Sequence, residues 1–308
     1  MKNDYKKWLR HEAVLLILLG ALLIYAQVTE PDFLIPSTQI KLLDNLWQLA
    51  ILAVPMTLII LAGGIDLSVG SIMALCAVVI GLTFERGISP FVGALLALLC
   101  GLAAGALNGW FVARVRVHPL LVTLATLAAF RGVAEGISQA RPISGFPENF
   151  RHFFGGMTPP LCFAVAAVAA IYFLNHRPGG VWLRAIGHNE TGARFSALPV
   201  ESLKLKLYAW SGLAASVAAI AYVARRNTAK ADIGTGIELD AITAVVLGGT
   251  SIFGGRGHVW GTLLGLLLIH ETREFVSWHW SRNELNLVVL GVLLILSVLL
   301  HRLSGEEK

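Results

Sequence analysis

Residues 49–70 read LAILAVPMTLIILAGGIDLSVG, an apolar run that is followed by two glycines and an aspartate. Asp66 has apolar sequence on both sides, and an acidic group at membrane depth normally faces the protein interior or water. The two glycines before it permit backbone shapes that a regular helix forbids. The stretch therefore predicts a broken-helix element of a membrane protein. Asp66 would either line a polar pathway or cap the helix that follows.

The composition agrees with a membrane protein. Of the 308 residues, 56% are hydrophobic and 14% are charged, whereas a soluble domain usually has about a quarter charged residues. The net charge is +5, but the basic residues are scattered between apolar runs, so nucleic acid is not an expected partner. The three cysteines lie in apolar runs without a CxxC pattern, which is typical of buried small side chains.

Ten apolar segments are expected to be embedded in the membrane, since a spanning helix needs roughly 20 mostly apolar residues. The predicted fold class is therefore an all-α polytopic membrane protein. The first segment resembles a signal peptide, but no clear small-residue cleavage site follows it, so a retained helix is expected. The third and eighth segments are short and flanked by glycine, which favours re-entrant or broken helices. The segments cover residues 12–28, 44–62, 69–84, 91–113, 119–138, 159–175, 207–224, 238–253, 258–272 and 284–301.

The distribution of Lys and Arg predicts the orientation. If the N-terminus is cytoplasmic, the inside loops hold fourteen basic residues and the outside loops hold nine. This bias places both termini and the polar stretch 176–206 in the cytoplasm. Arg225–Lys230 is the main exception, and it would either guide a partner protein or cap a helix. The chain is expected to be a single transmembrane domain, 1–308, which could consist of two halves, about 1–175 and 207–308.

A weak internal similarity supports two halves. Residues 61–70, LAGGIDLSVG, are similar to residues 246–255, VLGGTSIFGG, and both runs lie between apolar segments. Paired segments interrupted by glycine in corresponding positions indicate a transport pathway. Chance similarity is the alternative, because Gly-Gly pairs are common in membrane proteins.

Five polar residues inside or beside apolar segments are candidates for a solute pathway. Asn108 could hydrogen-bond across helices or to a polyol. Two carboxylates at positions i and i+2 do not face each other on a helix, so an acid–base pair is not expected from Glu238 and Asp240, and helix capping is the alternative. The candidates are Asp66, Ser68, Asn108, Glu238 and Asp240.

The polar stretch 176–206 contains signals for a short helix. Asn189 is a plausible N-cap, Ala193–Ala197 favours a helix, and Pro199 would end it. A short amphipathic helix in such a loop suits docking into a groove of a partner protein. An ordinary solvated connection is the alternative.

Nucleotide-binding and hydrolase motifs are missing from the sequence. It contains no GxxxxGK[ST], no HExxH, no GxSxG and no kinase signature. No catalytic residue, metal site or cofactor is therefore expected, and any ATP would be hydrolysed by another subunit.

Four stretches, taken together and in this order, resemble the ribose-type family of ABC sugar permeases over nearly the whole chain. They are GGIDLSVG (63–70), HPLLVTL (118–124), AIGHNE (185–190) continuing through ARFS (193–196), and ELDAITAVVLGGTSIFGG (238–255). Two departures are Ala125, where family members often have glycine, and Val181, where the family commonly has arginine.

The resemblance implies about ten membrane segments per subunit in a bacterial inner membrane. It implies a second permease subunit, identical or related, two ATPase subunits on the cytoplasmic face, and a periplasmic or lipid-anchored protein that binds the solute. The solute would be a small sugar-like molecule, and residues 143–150 resemble the rhamnose and autoinducer-2 branches. The coupling helix that seats in the ATPase would comprise Asn189, Glu190, Ala193, Arg194 and Phe195, with Glu190 and Arg194 as its polar contacts.

The expected mechanism is alternating access driven by ATP. One rival is a secondary transporter or channel in which Asp66, Glu135, Glu238 and Asp240 bind protons or sodium. Another is a membrane-embedded enzyme. His270 and Glu271 argue against the enzyme, because adjacent residues of a helix point in different directions.

Overall fold

The computed structural model describes residues 2–280 and, beyond them, residues 285, 286, 288, 289, 291, 292 and 295. The chain up to residue 280 is mostly helical, as expected from the sequence. The helices are α1 (Lys2–Thr29), α2 (Pro36–Leu43), α3 (Leu46–Leu61), α4 (Val69–Glu85), α5 (Pro90–Trp110), α6 (Pro119–Ser138), α7 (Glu148–Gly155), α8 (Thr158–His176), α9 (Pro178–His188), α10 (Glu190–Phe195), α11 (Val200–Arg226), α12 (Ile237–Leu247) and α13 (Val259–Trp280). Two short strands, β1 (Ile143–Ser144) and β2 (Thr228–Ala229), pair antiparallel.

Each of the first nine predicted segments coincides largely with a helix, whereas only seven residues of the tenth, 284–301, are among the described residues. Among the described residues, five stretches are long and apolar enough to cross a membrane, and a sixth results if α2 and α3, bent by 51°, form one span. The predicted count of ten is therefore not established. The five stretches are Glu12–Thr29, Pro90–Val115, Pro119–Ser138, Glu148–His176 and Val200–Arg226.

Three predicted boundaries were wrong. The eighth segment was placed at 238–253, but α12 ends at Leu247, because Gly248 and Gly249 follow it and Gly249 adopts a positive φ of 86°. The stretch 176–206 is not a simple loop, since it contains α9, α10 and the first residues of α11. The short helix of this stretch starts after the predicted N-cap Asn189 but ends at Phe195, before the predicted Ala197, which adopts a positive φ of 56°.

Contacts between chain connections define two ends of the helix bundle. At the strand end, β1 pairs with β2, Phe84 stacks on Phe146, and Arg225 forms an ion pair with Asp44. At the opposite end, which we call the α10 end, α9 lies beside the α3–α4 and α12–α13 connections, and α10 packs on α9 and α11. Of the connections named here, those predicted to lie inside are at the α10 end, and those predicted to lie outside are at the strand end.

Helix α11 lies at the centre of the bundle and packs against α3, α4 and most extensively α5. Its contact with α5 depends on glycine, because a Cβ built on Gly105 would lie 2.9 Å from the nitrogen and 3.0 Å from the Cα of Gly212. Small residues at such a crossing let two membrane helices approach closely. This close packing positions α11 to contact the α3–α4 connection.

Candidate functional site

The broken-helix element predicted from residues 63–70 is present as the connection between α3 and α4. Asp66 is fully buried there. Its Oδ1 accepts hydrogen bonds from the backbone amide of Ser68 at 3.0 Å and from the Ser68 hydroxyl at 2.6 Å. Its Oδ2 accepts the hydroxyl of Ser211, on α11, at 2.8 Å. The carboxylate therefore joins the connection to the central helix.

Neighbouring helices hold the same connection at two further points. The amide of Asn108, on α5, donates to the Ser68 hydroxyl at 2.7 Å. The carbonyl of Ile65 accepts hydrogen bonds from Thr123 on α6 and Tyr208 on α11, each at 3.3 Å. Three helices thus fix a segment whose backbone is not regular, which satisfies polar groups that would otherwise be buried without partners.

The capping interpretation of Asp66 holds only in part. Ser68 is the N-cap residue of α4, and Asp66 accepts the amide of that residue instead of the first amides within the helix. Asn108 makes the hydrogen bond between structural elements that was one of its two predicted roles. In the described conformation these side chains are buried, so their assignment to a solute pathway stays a prediction.

Glu238 and Asp240, the other two pathway candidates, both lie in the first turn of α12 but contact different groups. Glu238 is partly exposed and accepts the amide of Gly236 at 3.2 Å, as expected of a capping side chain. Asp240 is buried and forms an ion pair with Arg273 on α13. The Asp240 carboxylate therefore links α12 to α13 and does not act as a cap.

Arg131 is a polar residue at this site to which the sequence assigned no role. It lies on α6 and donates to the carbonyls of Ala231 and of Ile233, the latter at 2.8 Å. These carbonyls belong to the segment that enters α12 from the strand end, and the carboxylate of Glu238 is one of the charges around the guanidinium. A cation inside an apolar segment was the available signal, because such a group normally has a functional or structural partner.

Helix α10 has the local structure that the sequence predicted at its start. Asn189 is the N-cap, and its side chain accepts the amide of Gly192 at 2.8 Å. Ala193 is buried in a small cluster with Ile186 of α9 and Val200 of α11. α9, α10 and the start of α11 therefore pack as one unit.

The charged residues of α10 bind within the chain. Glu190 accepts a hydrogen bond from Arg194 at 2.8 Å and from Lys204, on α11, at 2.5 Å. Arg194 also forms an ion pair with Glu201. This network fastens α10 to α11, whereas Phe195 is 89% exposed at the end of the helix.

Acidification is expected to weaken this network. Partial burial tends to raise the pKa of Glu190, but the hydrogen bonds from Lys204 and Arg194 outweigh it and lower that pKa. A lowered pKa stabilises the fold above the ordinary glutamate value, about 4.3, and the contribution is lost as the pH falls through the folded-state pKa. Thermal unfolding in detergent measured from pH 7 to pH 3.5 should show wild type losing more stability below about pH 4.3 than Glu190→Gln. Parallel curves for the two proteins would contradict the prediction.

The Arg225–Lys230 cluster lies at the strand end, and two of its members have partners there. Arg225 forms an ion pair with Asp44, and Arg226 donates to the side chain of Asn45 at 2.9 Å. These contacts attach the end of α11 to the α2–α3 junction. Lys230 instead lines a cleft of about 240 Å³ together with Glu135 and Asp232.

Comparisons with known proteins agree with the resemblance seen in the motifs. Residues 42–298 match the family described as "Branched-chain amino acid transport system / permease component". The chain is 36% identical over 303 residues to the ribose import permease protein of Escherichia coli strain K12, covering 96% of this chain and 94% of that protein. It is 37% identical over 270 residues to the autoinducer 2 import system permease protein of Yersinia enterocolitica, covering 82% of each. No solved structure matches the chain significantly.

The family match extends from before α3 to beyond α13 and so includes the buried Asp66 network and α10. Together with the apolar spanning helices, it identifies a multi-pass membrane protein that serves as a transport component and not as an enzyme. The chain belongs to the family of transport-system permease components, and the ribose-type resemblance of its motifs is confirmed.

Proposed function

We propose that this chain is the permease subunit of an ATP-driven importer for a small sugar-like solute. The observation that supports it best is α10, a short capped helix whose charged side chains are bound within the chain while Phe195 is 89% exposed. An exposed aromatic side chain on a rigid helix is the kind of anchor that fills a pocket on a partner. The names of the relatives, which refer to import of ribose and autoinducer 2, support the solute class.

The α10 end is proposed to face the cytoplasm of a bacterial cell and to bind two ATPase subunits, one for each of two permease subunits. The excess of basic residues in the loops at this end supports that orientation and cytoplasmic termini. The strand end then faces outward, where a solute-binding protein would dock. The second permease subunit would be a copy of this chain or a related one.

Transport is proposed to occur by alternating access. ATP binding would move α10 together with α9, and the α3–α4 and α12–α13 connections beside α9 would reorient the helices around the pathway. Glu238 is the most accessible of the five pathway candidates, since the other four are at most 6% exposed. A solute shifts such an equilibrium only through its different affinities for the two states, so weak binding to the permease alone is expected.

Docking of the ATPase is tested at Phe195. Tagged chain is purified from its native membrane, and accompanying proteins are identified by mass spectrometry. Wild type is expected to recover an ATPase subunit. Phe195→Ala should weaken that association by about 30-fold, since an aromatic anchor contributes on the order of 2 kcal/mol.

Phe153→Ala is the matched control. Phe153 is also an exposed phenylalanine, at 59%, but it lies in α7 near the strand end, so its removal should leave ATPase recovery unchanged. Wild-type chain that purifies without any ATPase and moves solute independently of ATP would contradict the proposed function. That result would favour a secondary transporter.

A further inference from the structure

At the α10 end, the end of α9 meets the α3–α4 connection and the α12–α13 connection. Each of these three backbone segments makes its contacts through glycine. Gly187 is the penultimate residue of α9, and a Cβ built on it would overlap the carbonyl oxygen of Leu61 and the amide nitrogen of Gly255. The Gly255 amide donates to the Leu61 carbonyl at 2.9 Å. A Cβ on Gly254 would lie 2.8 Å from the Gly187 oxygen and 2.9 Å from the nitrogen of Gly63. α9 therefore touches both glycine-containing connections directly through its backbone.

Helix propensity does not explain glycine at position 187. The residue lies within α9 and is not among those with positive φ, so its backbone suits any residue. Alanine would favour the helix by about 1 kcal/mol relative to glycine. Glycine is required there because Leu61 and Gly255 leave no room for a side chain.

This contact of Gly187 with Leu61, Gly254 and Gly255, which we call the Gly187 junction, links α10 to the α3–α4 and α12–α13 connections. Gly187 is followed by His188 and the N-cap Asn189, and the cluster of Ile186, Ala193 and Val200 packs α9 and α10 together. On the other side, one connection leads from Gly63 to Asp66 and α4. The second leads from Gly254 to α13, which begins at Val259. These two connections are the runs that resemble each other in sequence.

We propose that the Gly187 junction transmits movement of α10 to both connections at once, so that α9, residues 62–68 and residues 248–258 move as one body. Gly187 is then a positioning residue for coupling and contacts neither ATP nor solute. The inference rests on the proposed function and adds the contact through which the ATPase would act on the pathway helices.

Gly187→Ala tests the junction without requiring knowledge of the solute. Hydrogen exchange of residues 62–68 and 248–258 is measured in the complex of the chain with its ATPase, with and without ATP and vanadate. In wild type, exchange of both connections should change together. In Gly187→Ala, ATP hydrolysis should continue while the ATP-dependent change falls by about fivefold or more, the lower end of the usual range for coupling between sites.

Gly20→Ala is the matched control, because a Cβ on Gly20 in α1 meets no heavy atom within 4 Å. It should behave as wild type does. An unaltered response of both connections in Gly187→Ala would overturn the inference alone. Failure of wild type to retain an ATPase would instead overturn the proposed function, and the coupling role with it.

A disulfide provides a second test if Gly187→Ala fails to fold. A Cβ on Gly255 would lie 3.2 Å from that of His188, slightly below the 3.5–4.5 Å of disulfides, and Gly255 has a positive φ of 76°, so the reduced double variant is first compared with wild type for yield and ATP hydrolysis. His188→Cys with Gly255→Cys is oxidised in a background in which Cys76, Cys100 and Cys162 are replaced. If the junction moves as one body, the disulfide should leave ATP hydrolysis by the complex unchanged. Hydrolysis that stops on oxidation and returns on reduction would show sliding at the junction and overturn the inference.

Discussion

Replacing Asp66 by alanine is expected to lower the free energy of unfolding by about 3 kcal/mol or more, because three buried donors lose their acceptor. The donors are the Ser68 amide, the Ser68 hydroxyl and the Ser211 hydroxyl, at 2.6–3.0 Å. The side chain is fully buried, so water does not replace the lost acceptor. Thermal unfolding of the purified protein in detergent, with the yield of folded protein from the membrane, measures the loss.

Asp66→Asn is the control for this prediction. The amide has nearly the same size and retains one carbonyl oxygen as an acceptor, so a smaller loss of stability is expected. Measuring transport beside stability also separates the two roles of Asp66, which are holding the α3–α4 connection and lining a solute pathway. If Asp66→Ala unfolds at the wild-type temperature but abolishes transport, the carboxylate acts on the solute, and the structural prediction is wrong.

Local signals in the sequence were sufficient to predict several helix starts. The predicted fifth segment, 119–138, begins at Pro119 as α6 does, and the structure places His118 at the N-cap, where its side chain accepts the Leu120 amide at 3.3 Å. Asn189 caps α10 as predicted. Such interactions involve residues two or three positions apart, so the chain order alone indicates which groups can meet.

Partners that are distant in the chain could not be predicted in the same way. The apolar context of Asp66 indicated an interior position, but Ser211 is 145 residues away. Ser211 reaches Asp66 through the packing of α11 on α3, α4 and α5, which joins segments far apart in the chain. Gly187 was overlooked for a similar reason. A glycine inside a helix was its only signal, and both contacting segments lie far away in the sequence.

The roles of charged residues were the hardest to predict. Glu190 and Arg194 were expected to contact an ATPase, but the structure shows them bound to each other and to α11. The expected contact with the ATPase stays a prediction for these two residues. Their observed partners instead support a role in holding α10 so that Phe195 is presented.

Asp240→Ala is expected to destabilise the fold by about 2 kcal/mol, because it removes the buried partner of an ion pair, while Arg273 keeps 38% of its side chain exposed and water partly solvates the charge left behind. Asp240 is buried and joins α12 to α13 through Arg273. Asp240 lies in the first turn of α12, and Arg273 lies in the second half of α13. The ion pair therefore links the two helices far from the glycine-containing connection that joins them at the α10 end. Thermal unfolding in detergent measures the change.

The double variant Asp240→Ala with Arg273→Met decides whether the stability lost in Asp240→Ala comes from the ion pair or from the Asp240 carboxylate alone. Methionine fills space along the former arginine stem without a charge, and replacing both partners of a buried pair by apolar residues is often neutral. The double variant should therefore recover much of the stability lost in Asp240→Ala, giving a coupling energy of about 1 kcal/mol in a double-mutant cycle. Additive losses would show that Arg273 and Asp240 act independently. Recovered stability without transport would instead indicate that the pair serves the pathway, because the helices would then be correctly packed and only the polar groups would be missing.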